Sequence, residues 1–516
     1  MEYKVLITTS GLGSRLGHLT EFTNKSLVRV SNKPAIAHIV ESYPIDTDFV
    51  ITLGHFGSHV RQFLKLVYPE RHFTFVEVDK YSGKDSSLGY SIFKCRSELE
   101  CPFIFHASDT IIDNYKLIEP TVFNYVLGSY KDDNYSEYRN LKTSEDVLKN
   151  LISIEEKGAV GFYPSYMGVC GIKDYLLFFE ELEKLIKNKV SDISDAHVIN
   201  NMLDNVPFLF YEVERNSWHD VGNIYELNKF RKTFKTDAEI LDKRDESIFL
   251  YDDKVVKFFS NSKTVKDRVD RTKYLKNIVP EILGSSENFY KYKKVGGELF
   301  SKSVNAVKFK KFLEWSKKNL WADENKDINF NNDCYNFYIN KTLNRVKLYL
   351  SEYKDQNKVN GVILPEIKNF INSLNFDWLC DGIPSRIHGD LILDNIIEKK
   401  TGDFCLIDWR QDFSGRLSVG DLYYDLAKLN HSLTVNHSII NKNLFSCDPD
   451  NCYILTNSIL NECKDILHSF IVDNNYSLKK VEVLTSLIWI NMSPLHSHPF
   501  NNFLFNFGKY NLYLKY

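Results

Sequence analysis

Short apolar runs alternate with helically spaced stretches through the first half of the chain. Residues 5–8, 49–53, 73–78 and 103–105 are nearly continuous hydrophobic runs of strand length, the pattern of strands buried on both faces. Between them, residues 35–43 and 60–67 place apolar side chains at helical intervals. This rhythm predicts βαβ units and a doubly wound, mostly parallel sheet, an α/β domain of Rossmann-like type. Further strands are expected at 166–172 and 208–213, a polar surface loop at 131–145 and a closing helix at 223–234.

The pattern changes near residues 235–247, which are charged and short of large apolar side chains. A domain junction there divides the chain into 1–238 and 239–516. Beyond it, 247–259 reads as a hairpin and 289–293 as a strand, and from Asn305 onward the spacing is mostly helical. Phe309, Phe312, Leu313 and Leu320 share one helix face, and Lys308, Lys311, Lys317 and Lys318 surround it as a solvated rim.

Composition adds mainly exclusions. A chain of 516 residues has room for two or three cores. The net charge of -3 gives no electrostatic reason to expect nucleic acid or an anionic membrane as partner. The nine scattered cysteines lack zinc-ligand spacing and are expected as free thiols in a reducing compartment. The opening residues read as a strand rather than a leader, and no apolar run is long enough to span a bilayer. A cytoplasmic protein is expected.

Candidate chemistry sits at both ends. Near the C-terminus, His388-Gly389-Asp390 is followed by Asn395 and then by Leu406-Ile407-Asp408-Trp409. An aspartate, an asparagine five positions on and a second aspartate after an apolar run form the set that kinase chemistry needs. Asp390 would orient or deprotonate an attacking hydroxyl, and Asn395 and Asp408 would hold magnesium against ATP phosphates. Near the N-terminus, Gly11 and Gly13 follow the first strand and precede Arg15, Lys25 and the Lys33-Pro34 pair. Glycines let a backbone approach a phosphate, and the cations would offset charge on a triphosphate.

The first region resembles the sugar-1-phosphate and phosphocholine nucleotidyltransferases. The match runs from the Gly11–Leu16 loop through Ser82–Gly89 and the strand ending at Asp109 to the late Trp218-His219-Asp220-Val221-Gly222 element. It departs at the opening Thr8-Thr9-Ser10-Gly11 and at Asn24, which stands where that family has proline. The resemblance implies attack of a substrate phosphate on the α-phosphorus of an NTP. Arg15 would offset charge on pyrophosphate, and Lys25 would contact the α-phosphate or the incoming phosphate. Gly11, Gly13, Ser87 and Gly89 would line the nucleotide, and Asp109 and Asp220 would hold Mg2+.

The second region resembles the aminoglycoside phosphotransferase and choline kinase superfamily, which implies a bilobal α+β kinase-like domain. Lys257, which fits better than Lys254, would reach the ATP phosphates, with Asp267 or Asp270 as its acidic partner. His388 is expected to support the loop, and Asp421 and Asp425 to be structural. Trp409, Arg410 and Asp412 are candidates for the acceptor wall, although core packing is the expected role for the aromatic rings. The fusion implies consecutive steps: ATP phosphorylates a small alcohol, amino alcohol or sugar, and an NTP, CTP by preference, then activates the phosphate, as in supply of a precursor for surface glycan or capsule. A sugar kinase joined to a sugar-1-phosphate nucleotidyltransferase, and a domain that only senses nucleotide, are the alternatives. No oligomeric state is implied.

Overall fold

The computed structural model of the chain describes residues 3–130, 135–145, 147, 149–158, 164–233, 243–448 and 450–516. The chain forms two compact units, one of Met1–Val265 with Leu283–Tyr292, the other of Lys266–Ile282 with Lys293–Tyr516. The 238/239 boundary expected from composition lies outside the described residues.

The first unit is built on a nine-stranded sheet in the order β10-β6-β9-β4-β1-β2-β3, with β7 attached to β9 and β8 to β7. Its strands are β1 (Lys4–Thr8), β2 (Asp48–Leu53), β3 (His72–Glu77), β4 (Phe103–Ala107), β6 (Asn124–Ser129), β7 (Asn140–Thr143), β8 (Leu151–Glu155), β9 (Ser165–Ile172) and β10 (Phe208–Glu212). The β1–β2, β1–β4, β2–β3 and β6–β10 pairs are parallel, while β9 runs against β4 and β6.

Alternation along β1 explains the double winding. Val5 and Ile7 join Ile36 and Val40 of α1 (Ala35–Glu41) and Val60 and Phe63 of α2 (Gly57–Val67) on one face. Leu6 joins Ile92 of α3 (Leu88–Phe93), Leu182 of α4 (Tyr175–Lys187) and Ile199 of α5 (Asp195–Met202) on the other. Burying each such side chain stabilises the fold by about 1.5–3 kcal/mol.

Where 131–145 was expected as a loop, residues 140–143 instead form β7. The physical reason is Leu141, fully buried among the second cluster, which a four-residue polar-looking segment does not advertise. Residues 131–134 of that stretch lie outside the described residues. The buried strand β6 also escaped prediction, because Asn124, Gly128 and Ser129 break its apolar run.

A two-stranded ribbon of β5 (Thr110–Ile112) and β11 (Trp218–Asp220) continues from β4 and leads into α6 (Ile224–Thr233). The expected hairpin is β12 (Glu246–Leu250) and β13 (Lys254–Phe259), within a four-stranded sheet completed by β14 (Ile282–Ser285) and β15 (Phe289–Lys293). Phe249, Phe258 and Phe289 of this sheet share the apolar cluster of Phe63.

The second unit is mainly helical. The helix Leu422–Thr434 is buried along its whole length, as expected of a central helix surrounded by others. A small sheet of Glu298–Leu299, Ile396–Glu398 and Phe404–Leu406 brackets the kinase-like motif: Asn395 directly precedes its second strand, and Asp408 follows its third. In the helix Ala306–Asn319, Phe309, Phe312 and Leu313 are buried as their spacing predicts. Among the described residues no helix is long and apolar enough to cross a membrane. All nine cysteines are free.

Candidate active sites

In the first unit the glycine loop is shaped around Lys25. Gly13 adopts a left-handed φ of 69°, and an added Cβ would lie 2.6 Å from the Cβ of Lys25. Only glycine meets both conditions. The buried Asn24 amide donates to the carbonyls of Thr9 (2.8 Å) and His55 (2.6 Å). Its oxygen accepts from the Ser26 amide and hydroxyl at 2.9 and 2.8 Å. Asn24 therefore ties the turn that presents Lys25 to the end of β1. Lys25 Nζ and Arg15 Nη2 stand 3.6 and 3.9 Å from Asp109 Oδ2. Lys33 instead pairs with Glu41 at 2.7 Å.

Strand register brings the two aspartates together. Thr110 pairs with Asp220 across β5 and β11, and the Val221 amide donates to the Asp109 carbonyl at 2.9 Å. A Cβ added to Gly222 would meet Asp109 Oδ2 at 2.7 Å, Asp220 Oδ1 at 3.1 Å and Arg15 Nη2 at 3.2 Å. Two carboxylate oxygens thus converge on one small space. His106 closes the turn beneath them: Nε2 donates to the Thr110 carbonyl at 3.0 Å, and Nδ1 accepts from the Tyr43 hydroxyl at 2.8 Å. Burial pushes the imidazole down to about 4 and keeps it neutral. Burial also acts to raise the Asp109 carboxyl, but Lys25 and Arg15 outweigh it and hold the group below the usual carboxylate range.

A small recess opens here, lined among others by Leu16, Lys25, Ser108, Asp109 and Gly222. The buried Ser108 hydroxyl has no hydrogen-bond partner among the described residues. Hard carboxylate oxygens beside two cations fit Mg2+ carried in on a triphosphate, since this ion is usually held by one or two carboxylates plus phosphate oxygens. Among the described residues no group of three or more metal-ligating side chains gathers, so an all-protein cage is not formed.

The other expected nucleotide residues lie at the same strand ends or nearby. The position of an added Cβ at Gly11 is open, so its backbone borders free space. Ser10 and Tyr81 both pack against Gly54, which brings the loop after β3 beside the glycine loop. Ser87 caps α3, its hydroxyl accepting from the Tyr90 amide at 3.0 Å. Gly89 donates its N–H to the Ile193 carbonyl at 2.7 Å, and an added Cβ would lie 2.4 Å from Ile193 Cγ2. The structure gives Gly89 a packing role.

In the second unit Asp390 is held from two sides. Lys428 Nζ lies 2.7 Å from its Oδ1. The Asn395 amide donates to the Asp390 carbonyl at 2.9 Å and contacts Oδ2 at 3.3 Å. Burial acts to raise the carboxyl, but Lys428 overrides it and holds Asp390 below the usual range. An aspartate so held is ionised at neutral pH and suited to orienting a hydroxyl. Asp408 carries a left-handed φ of 58° and accepts a hydrogen bond from Arg268.

Three buried groups fix this loop. His388 donates Nε2–H to the Ile407 carbonyl at 3.0 Å and is kept neutral by burial, which pushes it down to about 4. Asp425 accepts from the amides of His388 (2.8 Å) and Gly389 (2.7 Å) and from Trp321 Nε1 (3.1 Å). Arg271, itself fully buried, donates to the carbonyls of Ile387, His388, Arg410 and Leu417 at 2.6 to 3.3 Å. Trp409 is fully buried with its indole N–H on the Arg268 carbonyl, so it packs rather than lining an acceptor wall. Lys257 is buried on β13, opposite Ile248. Asp270 pairs with Lys266 and Lys273, whereas Asp267 is buried.

Sequence reasoning missed Lys428 and the roles of Arg271 and His106. Lys428 left one trace: it sits one turn after Asp425 in an otherwise buried helix, where an unpartnered lysine would be costly.

No family model matches the chain. The choline-phosphate cytidylyltransferase of Streptococcus pneumoniae (strain ATCC BAA-255 / R6) is 22% identical over 236 residues, 45% of this chain and 99% of that protein. The bifunctional protein GlmU of Methanococcus vannielii is 21% identical over 226 residues, 43% of this chain and 52% of the relative. Among solved structures, the CTP:phosphocholine cytidylyltransferase from Streptococcus pneumoniae aligns at 20% identity over 46% of this chain and 100% of its own, with a TM-score of 0.38. The inositol-1-phosphate CTP transferase from T. maritima aligns at 16% identity over 46% of this chain and 98% of its own, with a TM-score of 0.36. The similarity to these proteins falls on the N-terminal 45% of the chain, which resembles nucleotidyltransferases.

Proposed function

We propose that the chain is a bifunctional enzyme: a C-terminal kinase phosphorylates a small hydroxyl compound, and an N-terminal nucleotidyltransferase activates the product. The supporting observation is that each region gathers its own ionised aspartate with cations, Asp109 with Lys25 and Arg15, and Asp390 with Lys428. The domains of this reading are 1–238 and 239–516.

In the first reaction the acceptor hydroxyl attacks the γ-phosphorus of ATP, the bond to the β-phosphate oxygen breaks, and ADP leaves. Asp390 orients the hydroxyl and receives its proton. Lys257 contacts the ATP phosphates. In the second, an oxygen of the new phosphate attacks the α-phosphorus of the NTP, and pyrophosphate leaves. Lys25 and Arg15 offset the charge that develops there. CTP is favoured because one relative is a choline-phosphate cytidylyltransferase. Mg2+ held at Asp109 and Asp220, and at Asn395 and Asp408, would supply charge neutralisation of the phosphates. Supply of an activated precursor for surface glycan or capsule fits this pair of steps.

The test is phosphorus NMR of the full chain with magnesium, ATP, CTP and a panel of acceptors. ADP followed by pyrophosphate and a diphosphate diester is expected. Pyrophosphate release that survives Lys25→Met, or ADP formation that survives Asp390→Asn, would overturn the corresponding half.

A further inference from the structure

Three cations, Lys341, Arg345 and Arg410, stand near the C-terminal candidate site. Lys341 Nζ lies 4.4 Å from the centroid of the Phe337 ring, and the Arg410 guanidinium carbon lies 4.8 Å from the same centroid. Arg410 is fixed beside the catalytic loop: its amide donates to the His388 carbonyl at 3.1 Å, and a Cβ added to Gly389 would meet the Arg410 Cβ at 2.8 Å. Arg345 is one helical turn from Lys341 in the helix Lys341–Leu350. None of these three forms an ion pair among the described residues.

Of the two oxygens of Asp390, Oδ2 faces Asn395 and Oδ1 faces Lys428. Burial, then Arg410, Lys428 and Arg345, hold the Lys341 ammonium well below its ordinary value, with the Asp390 carboxylate acting against them. Positive charge gathered in a partly buried site is stabilised by an incoming anion and further destabilised by a cation. The Phe337 ring already faces two cations and is unsuited to caging a quaternary ammonium.

We infer that the phosphoryl acceptor of the C-terminal site carries an anionic group, a carboxylate or a phosphate, in addition to its reacting hydroxyl. The inference rests on the kinase reading. Lys341 and Arg345 bind the anion, and Arg410 completes its cradle. Choline, the acceptor that the family resemblance brings forward, has the wrong charge.

The experiment is isothermal titration of the full chain. Mg·ADP is titrated first; absence of binding would remove the kinase reading itself and the inference with it. The ADP-loaded protein is then titrated with D-glycerate, glycerol 3-phosphate, glycerol and choline. At least one anionic probe is expected to bind about tenfold or more tightly than glycerol and choline, and the carboxylate and phosphate arms identify the preferred anion. Lys341→Met and Arg345→Met, each still binding Mg·ADP, should each weaken that probe about tenfold. Choline or glycerol binding as tightly as the anions, no anion binding at all, or unchanged affinity in both variants would overturn the inference while leaving the kinase reading in place.

Discussion

Lys428 places its ammonium 2.7 Å from the Asp390 carboxylate, across 38 residues of chain, from a helix buried along its whole length. Burial alone would push that carboxyl up. The lysine reverses the direction. The pairing also raises Lys428, whose burial alone would lower it. The pair is therefore charged throughout the neutral range.

Lys428→Met is expected to lower kcat for ADP formation by about a hundredfold. It should also shift the acid limb of the pH–rate profile upward. In the wild type, the stability contributed by the depressed Asp390 is present above its unfolded pKa and is lost as pH falls through the folded one. In the variant burial acts unopposed, so activity should begin to fall at a higher pH. A slower enzyme with an unmoved acid limb would mean that Lys428 contributes only packing.

Asp425 shows the opposite behaviour. Burial raises its carboxyl to about 6 despite hydrogen bonds from the His388 and Gly389 amides. Between pH 4 and 6 the native state keeps a proton that the unfolded chain has lost, so stability attributable to Asp425 falls as pH rises and levels off above about 6, a total of about 3 kcal/mol. Asp425→Asn should abolish this slope and also loosen the loop, because an NH2 replaces one of the two oxygens that separately accept from the His388 and Gly389 amides. Urea unfolding followed by tryptophan fluorescence measures it, since five of the six tryptophans lie beyond residue 300. Equal slopes in wild type and variant would contradict the assignment.

Gly222→Ala is a one-carbon test of the N-terminal site. The added methyl would sit 2.7 Å from Asp109 Oδ2 and 3.1 Å from Asp220 Oδ1. Divalent-ion affinity, measured with Mn2+ by electron paramagnetic resonance, should weaken by about tenfold or more, and pyrophosphate release should fall with it. ADP formation should be unaffected. Normal ion affinity in the variant would place the metal elsewhere.

Gly13→Ala acts on Lys25 without touching its charge. The left-handed φ of 69° costs an alanine about 1–2 kcal/mol, and the new Cβ crowds Lys25 at 2.6 Å. Pyrophosphate release should drop about a hundredfold or more, approaching the loss in Lys25→Met. A full-rate Gly13→Ala enzyme would show that the loop tolerates displacement of Lys25.

Much of the architecture was legible in the chain because burial imposes a period. The runs at 5–8, 49–53 and 103–105 and the helices between them follow from apolar spacing alone, and β1, β2 and β4 appear at those places. Elements whose burial rests on one or two side chains were not legible: β7 depends on Leu141, and β6 hides its burial behind Asn124 and Ser129.

The same division runs through the candidate sites. Local sequence marked Gly13, Lys25, Asp109, Asp390, Asn395 and Asp408 as candidates, because their spacing matches loop patterns that phosphate chemistry calls for. Tertiary structure alone decided who meets whom. The register of β5 and β11 carries Asp220 to Asp109, and helix packing carries Lys428 to Asp390. Helix packing also gathers Lys341 and Arg410 around Phe337, with Arg345 close enough to Arg410 to feel its charge. Electrostatic interaction depends on distance through space, and spacing along the chain does not reveal that distance until the fold closes.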